Sequence, residues 1–191
     1  RWRLYKAEER IRVVNLGGTA IGTGLNAPRS FSFEALEILR GLCGFGLARA
    51  ENLMDATANQ DSFAEAFSFV KTLSLNLFKM AQDLRFLSSS PVAEVALPPL
   101  QAGSSIMPGK VNPVALETLI QCVFEVSGAD TMITQCVMNG NEQLNPWLPL
   151  LGQSFLSVVK NLTAAMALFT RKCLQGLEAC PENSEPRVFH S

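Results

Sequence analysis

"DSFAEAFSFVKTLSLNLFKMAQDL", residues 61–84, decides the fold. Phe63, Phe67, Val70, Leu73, Leu77, Met80 and Leu84 recur at spacings of three and four, a single apolar stripe with a coiled-coil-like period. Asp61, Glu65, Lys71, Lys79 and Asp83 fall largely off that stripe. A strand turns its side chains over at every residue and cannot keep this set on one face. The stretch is therefore a long helix with one buried side. "SSSPVAEVALPPLQAGSS" ends it, because Pro91, Pro98 and Pro99 block helix continuation.

Working outward, the pattern predicts more helices and no sheet. A charged helix runs from about Leu4 to Val14 and stops at Gly17-Gly18. "NLGGTAIGTGLNAP" then carries four glycines in fourteen positions, which makes it a tight loop. A helix follows from about Phe33 to Leu42, with Gly41, Gly44 and Gly46 ending it. Pro113 opens a second long helix to about Met138, "NGNEQLNPW" breaks it, and a third runs from about Leu148 to Leu174. There is no alternating β pattern, no repeat and no low-complexity segment. The fold class is all-α, built from long antiparallel helices.

No lysine or arginine occurs between Lys110 and Lys160, although that span holds two helices. Their apolar residues (Val114, Leu119, Ile120, Val123, Phe124 and Val126, then Leu150, Leu151, Phe155, Leu156, Val158 and Val159) spread around most of the circumference. Helices of that kind are covered on most sides. Three long helices cannot surround one another, so the expectation is oligomerisation through a helical bundle.

Composition bounds the rest. The 191 residues suffice for one sizeable domain, and 48% hydrophobic against 17% charged residues excludes a disordered chain. A net charge of -1 with no long basic run argues against nucleic acid. No apolar run reaches the roughly 18 residues of a membrane helix, and "RWRLYKAEERIR" is too charged for a signal peptide. The five cysteines, Cys43, Cys122, Cys136, Cys173 and Cys180, have no CxxC spacing and read as reduced thiols of a cytoplasmic protein. Neither a metal nor a cofactor is called for. Both ends are abrupt, which reads as a piece of a longer protein. Residues 1–176 form its helical domain, and 177–191 form a polar tail leading towards a further domain.

The chemistry concentrates in "GSSIMPGKVNP", residues 103–113. Gly103 and Gly109 permit unusual backbone geometry. Asn112-Pro113 reads as a helix start, with an N-cap residue and proline at the first helical position. Lys110, Asn112 and the free N–H groups of a helix terminus then surround one point, which attracts carboxylates or phosphates. Ser104 and Ser105 add hydroxyls, and Glu117 follows just past the first turn. These residues alone leave two readings open: a capped polar loop between helices, or an anion site. In "GGTAIGTG" the lysine of a phosphate-binding GxxxxGK[ST] loop is missing and no strand is expected before it.

"GSSIMPGKVNP" resembles the signature loop of the fumarase/aspartase superfamily. "NLGGTAIGTGLN", "AENLMDAT", "QDLRFLSSSP" and "NEQLN" occur in the order that family presents them. The resemblance covers roughly residues 8–176, and within the superfamily it leans towards the aspartate ammonia-lyase branch. It implies a central helical bundle domain, a homotetramer with shared active sites, and a small dicarboxylate or amino-acid substrate. The implied reaction is an anti elimination through an aci-carboxylate intermediate to fumarate. Ser104 corresponds to the catalytic base, and Lys110 and Asn112 to the groups that bind a substrate carboxylate, with Ser105 beside them. Glu117 corresponds to the acidic partner of a histidine from a neighbouring subunit. Thr19, or Thr23, of the glycine-rich loop either lines the site or shapes its backbone; Asn145 is a structural cap or a distant site residue.

A serine is a weak base unless donors and positive charge stabilise its anion, and loop closure would strengthen both. One such preorganised donor is typically worth about 3–4 kcal/mol. In the family pattern the other two site regions lie N-terminal to Arg1, so this chain carries one third of a site and is expected to be inactive alone. His190 is the sole histidine and lies in the wrong region to be the catalytic one. The approach "VAEVALPPLQAG" is shorter than usual for the family, and the tail from Pro181 departs from it. A fumarate hydratase, or a catalytically silent oligomerisation domain, stands beside the ammonia-lyase reading.

Overall fold

The chain opens with α1 (Trp2–Arg10), which ends four residues before the expected limit of Val14. Val13–Val14 instead forms β1 and pairs in parallel with β2 (Ala48–Arg49). Two adjacent β-branched residues ahead of a glycine-rich turn suit a pleated segment better than a last helical turn. This computed structural model describes residues 2–188, with 185–188 described by their backbone only.

After the glycine-rich loop come α2 (Arg29–Cys43) and α3 (Leu53–Ala58). Gly44, with φ 60°, closes α2 by sending its N–H to the Arg40 carbonyl. The short α3 was not anticipated, although its signal was present: the Asn52 side chain accepts from Met54 N–H and Asp55 N–H as its N-cap. Three long helices follow, α4 (Asp61–Leu87), α5 (Val114–Met138) and α6 (Leu148–Lys172), close to the expected bounds. Between α4 and α5 lies β3 (Val95–Ala96), which pairs antiparallel with β4 (Glu178–Ala179). The described part of the tail carries one more helix, α7 (Pro181–Val188). Apart from two-residue strands, the regular elements among the described residues are helices, as the all-α reading requires.

The chain divides into two units, residues 1–72 with 127–157, and 73–126 with 158–191. The long helices pass from one to the other in alternating sense, α4 and α6 from first to second and α5 from second to first.

In the first unit Phe67 is wholly buried and meets Phe155 edge-on, with ring centroids 5.3 Å apart. Leu36, Leu53, Val70, Ile133 and Leu151 complete this core. Burying such side chains contributes roughly 1.5–3 kcal/mol each. Lys71 Nζ reaches Asp130 Oδ2 at 2.6 Å across α4 and α5. In the second unit Leu116, Leu119, Val123, Val126, Val158 and Phe169 are buried, and Phe78 packs on Phe124 at 5.9 Å.

Within α4 the buried seam differs from the expected stripe. Phe67, Val70 and Leu77 are buried as foreseen, but Ser74 and Ala81 take the positions given to Leu73 and Met80; Met80 is 45% exposed. Small residues at those points let neighbouring helices approach, and the larger side chains move to the flanks.

Apolar side chains remain uncovered where the sequence predicted all-round burial. Phe124 is 59% exposed in the second unit, and Leu156 is 71% exposed in the first.

Candidate active site

The serine loop belongs to the second unit and is clasped at its base. Ala102 and Val111 form an isolated antiparallel bridge, and Gly103 N–H donates to the Lys110 carbonyl at 2.6 Å. That clasp explains Gly103: a Cβ there would lie 2.8 Å from the Lys110 carbonyl oxygen. The backbones beside Ser104 and Lys110 are thus brought together by main-chain bonding. At the tip, Gly109 adopts φ 82° and Lys110 N–H bonds the Met107 carbonyl at 3.2 Å. Ile106 is 88% exposed, so the tip projects from its own unit.

The Ser104 hydroxyl accepts Ile106 N–H at 3.2 Å, a local turn that holds Oγ within the loop. Ser104 is half-buried, whereas Ser105 and Lys110 are exposed. Asn112 is half-buried at the root of α5.

The helix start is displaced by one residue from the sequence reading. The α5 helix begins at Val114, and the Pro113 carbonyl accepts Glu117 N–H at 3.1 Å, so Pro113 occupies the capping position and not the first helical one. Asn112 precedes a proline and is biased to an extended backbone, which keeps it outside the helix. Its carbonyl accepts Val114 N–H at 2.9 Å. The anion-attracting end of α5 is retained, with Lys110 and Asn112 just ahead of it.

Glu117 sits in the first turn of α5. Arg85, near the end of α4, lies 3.9 Å from its Oε1, an ion pair at the outer limit between half-exposed groups. Sequence reading missed Arg85, although "QDLRFLSSSP" contains it.

Thr19 lies in the first unit, on the glycine-rich loop. It is exposed and adopts φ 59°, rare for a β-branched residue. Thr23 Oγ1 accepts Leu25 N–H at 3.4 Å. Gly22 fixes this loop against α3: at φ 82°, a Cβ would come within 2.3 Å of Met54 Cα.

The two readings of Asn145 are resolved. It is 5% exposed, donates to the Cys136 carbonyl at 2.9 Å and accepts Trp147 N–H at 3.0 Å. It therefore ties the end of α5 to the start of α6, a structural role. His190 lies outside the described residues.

A family model described as lyase matches residues 1–128. The chain belongs to the fumarase/aspartase superfamily. Among relatives in this superfamily, the aspartate ammonia-lyase of Escherichia coli (strain K12) is 41% identical over 191 residues, covering 98% of this chain and 40% of that one. That of Bacillus subtilis (strain 168) is 38% identical over 180 residues, covering 93% and 38%.

Solved structures of the superfamily agree in fold. A fumarate lyase:delta crystallin from Brucella melitensis superposes with a TM-score of 0.92 at 38% identity, covering 97% of this chain and 41% of that one. A class II fumarase from Schistosoma mansoni gives 0.93 at 27% identity, covering 98% and 43%. The chain spans about two fifths of the length of the curated relatives it matches. Among the described residues, no helix is long and apolar enough to cross a membrane.

Proposed function

We propose that the intact protein carrying this chain is an aspartate ammonia-lyase, converting L-aspartate to fumarate and ammonia. The observation that carries the reading is the clasped serine loop at the N-terminus of α5, in a chain 41% identical to the Escherichia coli enzyme of that name.

Ser104, as its alkoxide, takes a proton from the carbon adjacent to the one bearing nitrogen. The electron pair passes into the neighbouring carboxylate, which becomes the doubly charged aci-carboxylate. Its collapse forms the carbon–carbon double bond and breaks the carbon–nitrogen bond, releasing ammonia. Lys110, Asn112 and the positive end of α5 hold the carboxylate where charge accumulates. Ser105 supplies a further hydroxyl to the substrate, and Glu117 orients a histidine of a neighbouring subunit. Once that histidine approaches, the loose Arg85 contact of Glu117 is the competing partner.

The assembly is a homotetramer with shared sites. Support comes from the uncovered Phe124 and Leu156. Free thiols throughout accord with a reducing cytoplasm.

The test supplies L-aspartate or L-malate to the intact protein and follows fumarate by absorbance and ammonia by assay. Equimolar fumarate and ammonia from L-aspartate are expected. Turnover of L-malate alone would make the protein a fumarate hydratase, and turnover of neither would overturn the reading.

A further inference from the structure

The second unit contains a cavity of about 350 Å³ beneath the root of the serine loop. That size lies within the range of small-molecule sites. Four separate stretches wall it: the β3 region, the start of α5, the end of α6, and the β4–α7 junction. The β3 region and the β4–α7 junction are fixed to each other by bonds independent of any ligand. The β3–β4 pairing is one, Cys180 N–H to the Glu94 carbonyl at 2.8 Å is a second, and Asn183 Nδ2 to the Ala93 carbonyl at 2.8 Å is a third. That side of the cavity is therefore set without a ligand.

Its chemistry is one-sided. Leu97, Pro98, Val111 and Leu116 give apolar walls. Among the described lining residues Lys172 is the only charged one, and no acidic side chain faces the space. The first turn of α5 forms another wall and adds the positive end of its dipole. A ligand matching this surface has an apolar body and one negative group. The other polar lining residues, Ser88, Asn112 and Asn183, are neutral, so a second carboxylate would meet no second cation. The cavity adjoins the elimination site at Asn112 and the start of α5, but Ser104, Ser105, Lys110 and Glu117 do not line it.

We propose that this cavity is a second ligand site, taking a small monocarboxylate with an apolar body and holding its carboxylate at Lys172. The proposal does not depend on which substrate the serine loop serves.

Cys180 lines the cavity and Cys43 is exposed elsewhere, so the protein carries its own reporter and its own control. Alkylation of each by iodoacetamide is followed by peptide mass spectrometry on the intact protein, with octanoate as probe. At ten times its dissociation constant, octanoate slows Cys180 alkylation about tenfold by mass action. Cys43 is unaffected. Lys172→Gln, an exposed position, raises the octanoate concentration for half-protection about tenfold and leaves protection by 1-octanol unchanged. Three results would overturn the site: no protection by octanoate up to its solubility, equal protection by octanol with no effect of Lys172→Gln, or protection by succinate as strong as by octanoate. The last would give the cavity to the dicarboxylate substrate.

Discussion

Gly103 shows how one residue sets the site. Its N–H and its missing side chain both belong to the clasp with Lys110, so Gly103→Ala pushes the two loop limbs apart. The expected outcome is a kcat loss of at least about tenfold in the intact protein with an unchanged melting temperature; a fully active variant would show that the clasp is dispensable. Cys173 offers a second test. Burial raises its thiol above 9.0, so the folded state keeps that proton after the unfolded chain has released it. Its contribution to stability is complete below the unfolded value and is lost as pH climbs through the folded one. Melting temperature should therefore fall from pH 8 to pH 10, and Cys173→Ala should flatten that slope; an unaltered slope would reject the assignment. At this scale the sequence was legible for Gly103, whose place in the motif announces its special backbone setting. It was silent on Arg85, whose meeting with Glu117 depends on how α4 and α5 are placed.

Among the elements, the long helices were readable because their apolar spacing repeats over many turns. The seam of α4 was read one step off at two points. Ser74 and Ala81 are small, and hydropathy alone gave their places to Leu73 and Met80. Helix packing rewards close approach as well as apolar area, and only the structure displays the former. Phe67→Ala, which empties the centre of the first unit, is expected to cost about 3–5 kcal/mol by urea unfolding. Met80→Ala, by contrast, should cost under about 1 kcal/mol. Comparable losses would restore the original stripe. The short strands and α3 were missed because two-residue ladders and six-residue helices carry too little periodicity. Asn145 was ambiguous for another reason: a buried amide joining two helices has the same sequence signature as a site residue.

For the molecule as a whole, the expectation of assembly rests on the absence of lysine and arginine between Lys110 and Lys160. Within that span the structure leaves Phe124 uncovered in the second unit and Leu156 in the first, and the proposed assembly would close over each. Light scattering of the intact protein is expected to give four subunits, and a Phe124→Lys, Leu156→Lys variant is expected to dissociate and lose activity. A monodisperse, active monomer would contradict shared sites. The most direct test of the central claim is the rate of fumarate formation from L-aspartate by intact Ser104→Ala protein. The account predicts a fall in kcat of about 10²–10⁴-fold with the assembly intact, the span expected for loss of a general base. A rate equal to that of the unmodified protein would show that the serine loop does not supply the base.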